Sequence, residues 1–173
     1  SGDATIYTTL TPTKRTTDLP HIYSESNTPG VYTEITYGTA PAARAMSWTQ
    51  DPSTGWVDGT AIVRIDTDAD VGIDGKAFAI KLPKTAVLLG NYAQRVGSIT
   101  FGVAVFDHWL CSLHSGRLND LTNLDYCFVV PPNTGPLVHT TWNFGNGALV
   151  SSGAANTGWH DFHITFGYFG VLP

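Results

Sequence analysis

Residues 160–172 constrain this chain most: Phe162, Ile164, Phe166 and Tyr168 fall on one side of a period-two alternation, Asp161, His163, Thr165 and Gly167 on the other. Side chains of an extended strand point alternately to opposite faces, so such a segment buries one face and frees the other, which a helix of period 3.6 does not do. Left at a sheet edge, a strand this long and apolar would template aggregation, so it is expected between two neighbours. The pattern recurs. Val31, Ile35 and Tyr37 oppose Glu34 and Thr36; Ala61, Val63 and Ile65 oppose Arg64; Phe78, Ile80 and Leu82 oppose Ala77, Ala79 and Lys81. Ser98–Trp109 reads as one long strand with Ile99, Phe101, Val103, Val105 and Trp109 on one face. Its other face, Ser98, Thr100, Gly102 and Ala104, is small enough for another sheet or subunit to pack against it.

Further strands are expected near 4–10, 21–25, 86–90, 126–130 and 137–144, giving nine or ten in all. Helix signals are confined to 41–48, where Pro41 precedes Ala42, Ala43, Ala45 and Met46, and to the Leu118, Leu121, Leu124 triplet. Many short strands separated by turns predict an all-β chain with little helix, a two-sheet sandwich or barrel. The 23 threonines and 18 glycines suit that class. Residues 1–20 read as an extended Thr-rich arm or linker with a first strand, and 21–173 as a single sandwich domain.

Net charge is −5 and the longest basic run is Lys14-Arg15, so the clustered cationic surface needed for direct nucleic-acid binding is missing. No stretch reaches the 18 or so apolar residues of a spanning helix, so membrane insertion is not expected. Ser1-Gly2-Asp3 is no signal peptide, and the abrupt polar start reads as that of an excised piece. Cys111 and Cys127 read either as a disulfide between neighbouring segments or as small buried apolar side chains.

Three groups of residues carry candidate chemistry. Asp66, Asp68, Asp70 and Asp74 have the spacing of positions one, three, five and nine of a calcium loop, because carboxylates at alternate positions converge on a hard cation when the backbone curls. Val71 stands where such a loop has its glycine and Ala77 where it has its closing acid; the competing reading is a solvated loop whose aspartates cap turns. His160 and His163 lie on opposite faces of one strand, so they do not converge on a metal with Asp161. They are candidates for a pH switch at an oligomer interface, against a reading as ordinary hydrogen-bonded histidines. Trp48 and Trp56 flank a turn-rich loop, and with Gln50 and Asp51 they form a candidate surface for stacking on a sugar or anchoring a protein. Neither Gly-x-Ser-x-Gly nor His-Glu-x-x-His occurs, so no catalytic residue is assigned and the chain is not expected to be an enzyme.

A Thr-, Gly- and Pro-rich, weakly charged β-sandwich that follows a Thr-rich arm and ends in the alternating strand His160–Leu172 resembles the protruding or spike domain of non-enveloped RNA virus coat proteins of the tetravirus, nodavirus and tombusvirus kinds. The stretch Asp66–Asp74 is similar to acidic loops that some such proteins use to hold calcium between subunits. Phe166–Leu172 resembles the last strand of trimeric jelly-roll domains of the tumour-necrosis-factor and C1q type. The resemblance implies a two-sheet jelly-roll-like β-sandwich that projects from the virion surface, self-associates as a dimer or trimer and attaches to a host receptor or glycan. The rival readings are a free-standing extracellular carbohydrate-binding module or lectin and, third, a hydrolase whose triad is assembled from distant residues.

Overall fold

The computed structural model describes residues 15–25, 31–35, 37, 44–66, 77–90, 94–103, 108–115, 124–130 and 159–173. Among them there is no helix. Ten strands follow in chain order: β1 (Thr16–Asp18), β2 (Ile22–Glu25), β3 (Tyr32–Glu34), β4 (Arg44–Gln50), β5 (Trp56–Asp66), β6 (Ala77–Lys81), β7 (Gln94–Val103), β8 (His108–Ser115), β9 (Tyr126–Val130) and β10 (Trp159–Phe169). They form one antiparallel sheet in the order β1-β4-β5-β10-β7-β8-β9-β6-β2-β3. The all-β expectation holds. In place of two separate sheets, the described strands make a single curled one, a half-barrel whose concave side holds the core.

The chain connectivity shows why the sheet must curl. β1 ends one side of the strand order and β2 lies next to last on the other, yet only Leu19, Pro20 and His21 separate them. Laid flat at about 4.8 Å per strand, the two would stand roughly 38 Å apart. The four peptide steps from Asp18 to Ile22 span at most about 15 Å. Side chains seal the seam where the two ends approach. Arg44 Nη1 of β4 reaches the Pro20 carbonyl and Glu34 Oε1, both at 3.4 Å, and its guanidinium stacks 3.8 Å above the Tyr37 ring. The Tyr37 hydroxyl accepts from the Ile22 amide at 2.8 Å and donates to Glu34 at 2.9 Å.

The core follows the alternation. Phe162, Ile164, Phe166 and Tyr168 of β10 are buried with Val57, Ala61 and Val63 of β5, Ile99 of β7, Leu113 of β8, Ile80 of β6 and Ile22 of β2. Tyr168 keeps its phenol satisfied in this apolar setting: the Lys84 amide donates to it at 3.1 Å and it donates to the Lys84 carbonyl at 2.8 Å. β10 lies between β5 and β7, the interior place its apolar face demands.

Three expectations need correction. Arg44–Gln50 is a strand: the helix-forming alanines around it are overridden by pairing with β5 on one side and β1 on the other. Ser98–Trp109 is two strands, since β7 ends at Val103 and β8 starts at His108, and the two pair antiparallel. The alternation runs on through the reversal, and no Gly-, Pro- or Asn-containing turn marks it. The strand expected over 86–90 is reduced to an isolated bridge between Ala86 and Gly170, flanked by Val87 N–H to Phe169 O and Val171 N–H to Thr85 O, each 2.8 Å. The expected strands at 4–10 and 137–144 lie outside the described residues, as do Leu118 and Leu121.

Candidate functional site

The β4–β5 hairpin does not gather Trp48, Gln50, Asp51 and Trp56 into one surface. Met46, Trp48 and Gln50 face inward, opposite the buried Ala61, Gly59 and Val57, whereas Trp56 belongs to the outward set with Asp58, Thr60 and Ile62. The two indoles therefore lie on opposite faces of the sheet. Trp48 packs against the core, with Lys84 Nζ 5.7 Å from its ring centroid. Gln50 ties the hairpin to the C-terminal segment, its amide donating to the Val171 carbonyl at 2.9 Å.

Asp51 is engaged in the turn itself. Its Oδ1 accepts from the Ser53 amide at 2.8 Å and the Ser53 hydroxyl at 2.7 Å, and these bonds, with those from Thr54, pull its pKa down to about 2. Gly55 closes the loop at φ 79°, a left-handed conformation that favours glycine, and a Cβ there would lie 2.6 Å from the Gly170 carbonyl oxygen.

The remaining candidates fall out as follows. Asp68, Asp70 and Asp74 lie outside the described residues, and Asp66 is described as backbone at the end of β5. Among the described residues no three His, Cys, Asp or Glu side chains form a group that could hold a metal ion. His163 is exposed on the outward face of β10, and His160, described as backbone, occupies a position of opposite parity.

Cys127 is a buried free thiol, and burial pushes its pKa up, away from the thiolate a nucleophile would need. It pairs with Ser115, and Cys111 stands four positions along β8 from Ser115. That offset is roughly 13 Å along the strand direction, against the about 7 Å between Cα atoms that a bridge tolerates. The disulfide reading is therefore replaced by that of a small buried side chain at Cys127.

What the hairpin and β10 do build is an outward face that runs along β4, β5, β10 and β7. One cross-strand row is Ala45, Ile62, His163 and Thr100; the next is Ser47, Thr60, Thr165 and Ser98, with Ser98 and Thr165 hydroxyls 2.7 Å apart. Along β1, β4, β5 and β10 this face holds a groove of about 500 Å³, bounded by Thr17 and Leu19 on one side and His163 on the other. At one end of the face Arg64 and Asp161 form a two-pronged ion pair at 2.6 and 2.8 Å, which raises the Arg64 pKa further.

At the other end Trp56 stands over Gly167, with Phe169 edge-on to it at a centroid distance of 5.0 Å and 73° between rings. The sequence offered Trp56 as a contact residue but paired it with the wrong face. Asp58, Gly167 and Phe169 were missed, although Trp56 and Asp58 share the parity that puts them on one side of a strand.

A second polar cluster lies at the seam. Glu34 is partly withdrawn from water, which raises its pKa, but hydrogen bonds from His21 (2.6 Å) and Tyr37 and the charges of His21 and Arg44 outweigh this and hold it low. Its partners lie on β4 and around β2 and β3, so it acts as a clasp. Comparison of the chain with protein-family models, with curated proteins and with solved structures finds no match.

Proposed function

We propose that the chain is a non-enzymatic surface projection of a non-enveloped RNA virus coat, which associates with copies of itself and carries an attachment surface. The observation that supports this best is the outward face of β4, β5, β10 and β7. Its two central rows hold Ala, Ser, Thr and Ile with His163, and no carboxylate. Short side chains let a second sheet approach closely. Central rows without carboxylates let two chains of net charge −5 meet there without opposing like charges, Asp58 and Asp161 lying on the flanking rows. The occupant of this face is a second copy of the chain. The jelly-roll kinship belongs to the same proposal: β6-β9-β8-β7 has the order of a Greek key, the unit from which jelly rolls are made.

Sedimentation tests the reading. The wild-type chain is expected to exceed the mass of an 18.6 kDa monomer at tens of micromolar. Thr60→Arg and Thr165→Arg on this face should return it to monomer, with Thr33→Arg on β3, outside these rows, as the control. A wild-type chain that is monomeric throughout the range refutes self-association. The second reading, a free-standing carbohydrate-binding module, is favoured by one observation, the exposed Trp56 at the end of the same face. On that reading the chain binds glycan whether or not it self-associates.

A further inference from the structure

We propose that Trp56, Asp58 and Gly167 form a subsite for a neutral hexopyranoside. The assignment rests on the attachment half of the reading above and gives it a ligand class. Three features converge. Trp56 is 42% exposed in spite of its size. Its backbone is held from both sides, the amide donating to Thr54 Oγ1 at 3.2 Å and the carbonyl accepting from the Asp51 amide at 2.9 Å. Its six-membered ring leans over Gly167, where a Cβ would lie 3.3 Å from Cζ2 and 3.7 Å from Cη2, and the Phe169 edge props it from the next position along β10. The indole is thus a fixed platform whose place on the sheet is open because residue 167 has no side chain.

The third feature is Asp58, which pairs with Gly167 across β5 and β10 and faces outward beside the ring. It is exposed, and its carboxylate makes no hydrogen bond or ion pair among the described residues. Thr49 and Thr60 flank it on the same face. An apolar peptide side chain seated on the indole would bury that carboxylate against nothing, at a cost. A hexose matches both halves. The C–H face of the ring stacks on the indole, and two adjacent hydroxyls donate to the two carboxylate oxygens. The carboxylate and the negative net charge select against sialylated or sulfated sugars.

The test uses the whole chain with methyl glycosides of glucose, galactose and mannose and with methyl sialoside. Saturation-transfer NMR and tryptophan fluorescence are the readouts. At least one neutral glycoside should bind at low-millimolar concentration, the sialoside should not, and Trp56→Ala should abolish the transfer. Gly167→Val, whose branched side chain suits a strand and takes the place of the indole, should weaken binding about tenfold, as should Asp58→Ala. The proposal is overturned if no neutral glycoside binds, if binding survives Trp56→Ala, or if the sialoside binds better. Circular dichroism of each variant separates loss of the subsite from loss of the fold. Sedimentation of the same samples separates the two readings: self-association without sugar binding removes the subsite and leaves the projection, and sugar binding by a monomer supports the subsite and removes self-association.

Discussion

At the scale of single residues, Asp51 shows how a polar loop residue that looks available for a ligand can have a carboxylate oxygen taken up by its own turn. The pH dependence follows from its depressed pKa. A carboxylate whose folded pKa is about 2 against an ordinary value of 3.8 stabilises the fold above the ordinary value and loses that contribution as pH falls toward 2. The difference in melting temperature between wild type and Asp51→Asn should therefore be largest near neutrality and shrink between about pH 4 and 2. A difference independent of pH would show that the ionised carboxylate adds nothing to the turn. Asp51 and Gly55 were legible in the sequence as turn formers, because Asp-Pro-Ser-Thr-Gly carries its own local chemistry. The role of Gly167 was not, since a glycine inside an alternating strand says nothing of which aromatic from another strand leans over it.

At the scale of elements, β10 was legible and β4 was not, for a physical reason. In β10 four large apolar residues alternate with polar or small ones and no competing period fits them. In β4 the run Arg-Ala-Met-Ser-Trp-Thr-Gln has only two large apolar side chains, Met46 and Trp48, so local propensity misled and pairing with β5 and β1 decides its conformation. β10 supplies a sharp contrast for measurement. Phe162 is fully buried, and Phe162→Ala should cost about 3–5 kcal/mol in denaturant unfolding. The neighbouring His163 is exposed, and His163→Ala should change stability by no more than about 0.5 kcal/mol. Equal costs at the two positions would mean that the burial alternation along β10 is wrong.

At the scale of the whole molecule, the curl of the sheet depends on Leu19-Pro20-His21 and on the Arg44–Glu34 clasp, whose partners are partly exposed. An ion pair in that setting contributes roughly 0–1 kcal/mol. Arg44→Ala should accordingly leave the melting temperature little changed while amide exchange quickens in β2 and β3 and stays slow in β10. Uniform quickening across the sheet would show that the seam is not a separate unit. The strand pattern left a barrel open beside a sandwich but could not choose, because period-two patterning assigns faces and leaves the lateral order of the strands open.

That order also has a consequence for synthesis. β5 and β7 both pair with β10, and Arg64 meets Asp161 across 97 residues of chain. While β10 is still inside the ribosome, the nascent polypeptide presents two long unpaired rims to solvent on either side of a vacant place. Completion of the sheet, and protection from sticking to neighbouring chains on the same message, waits on the arrival of that one late segment.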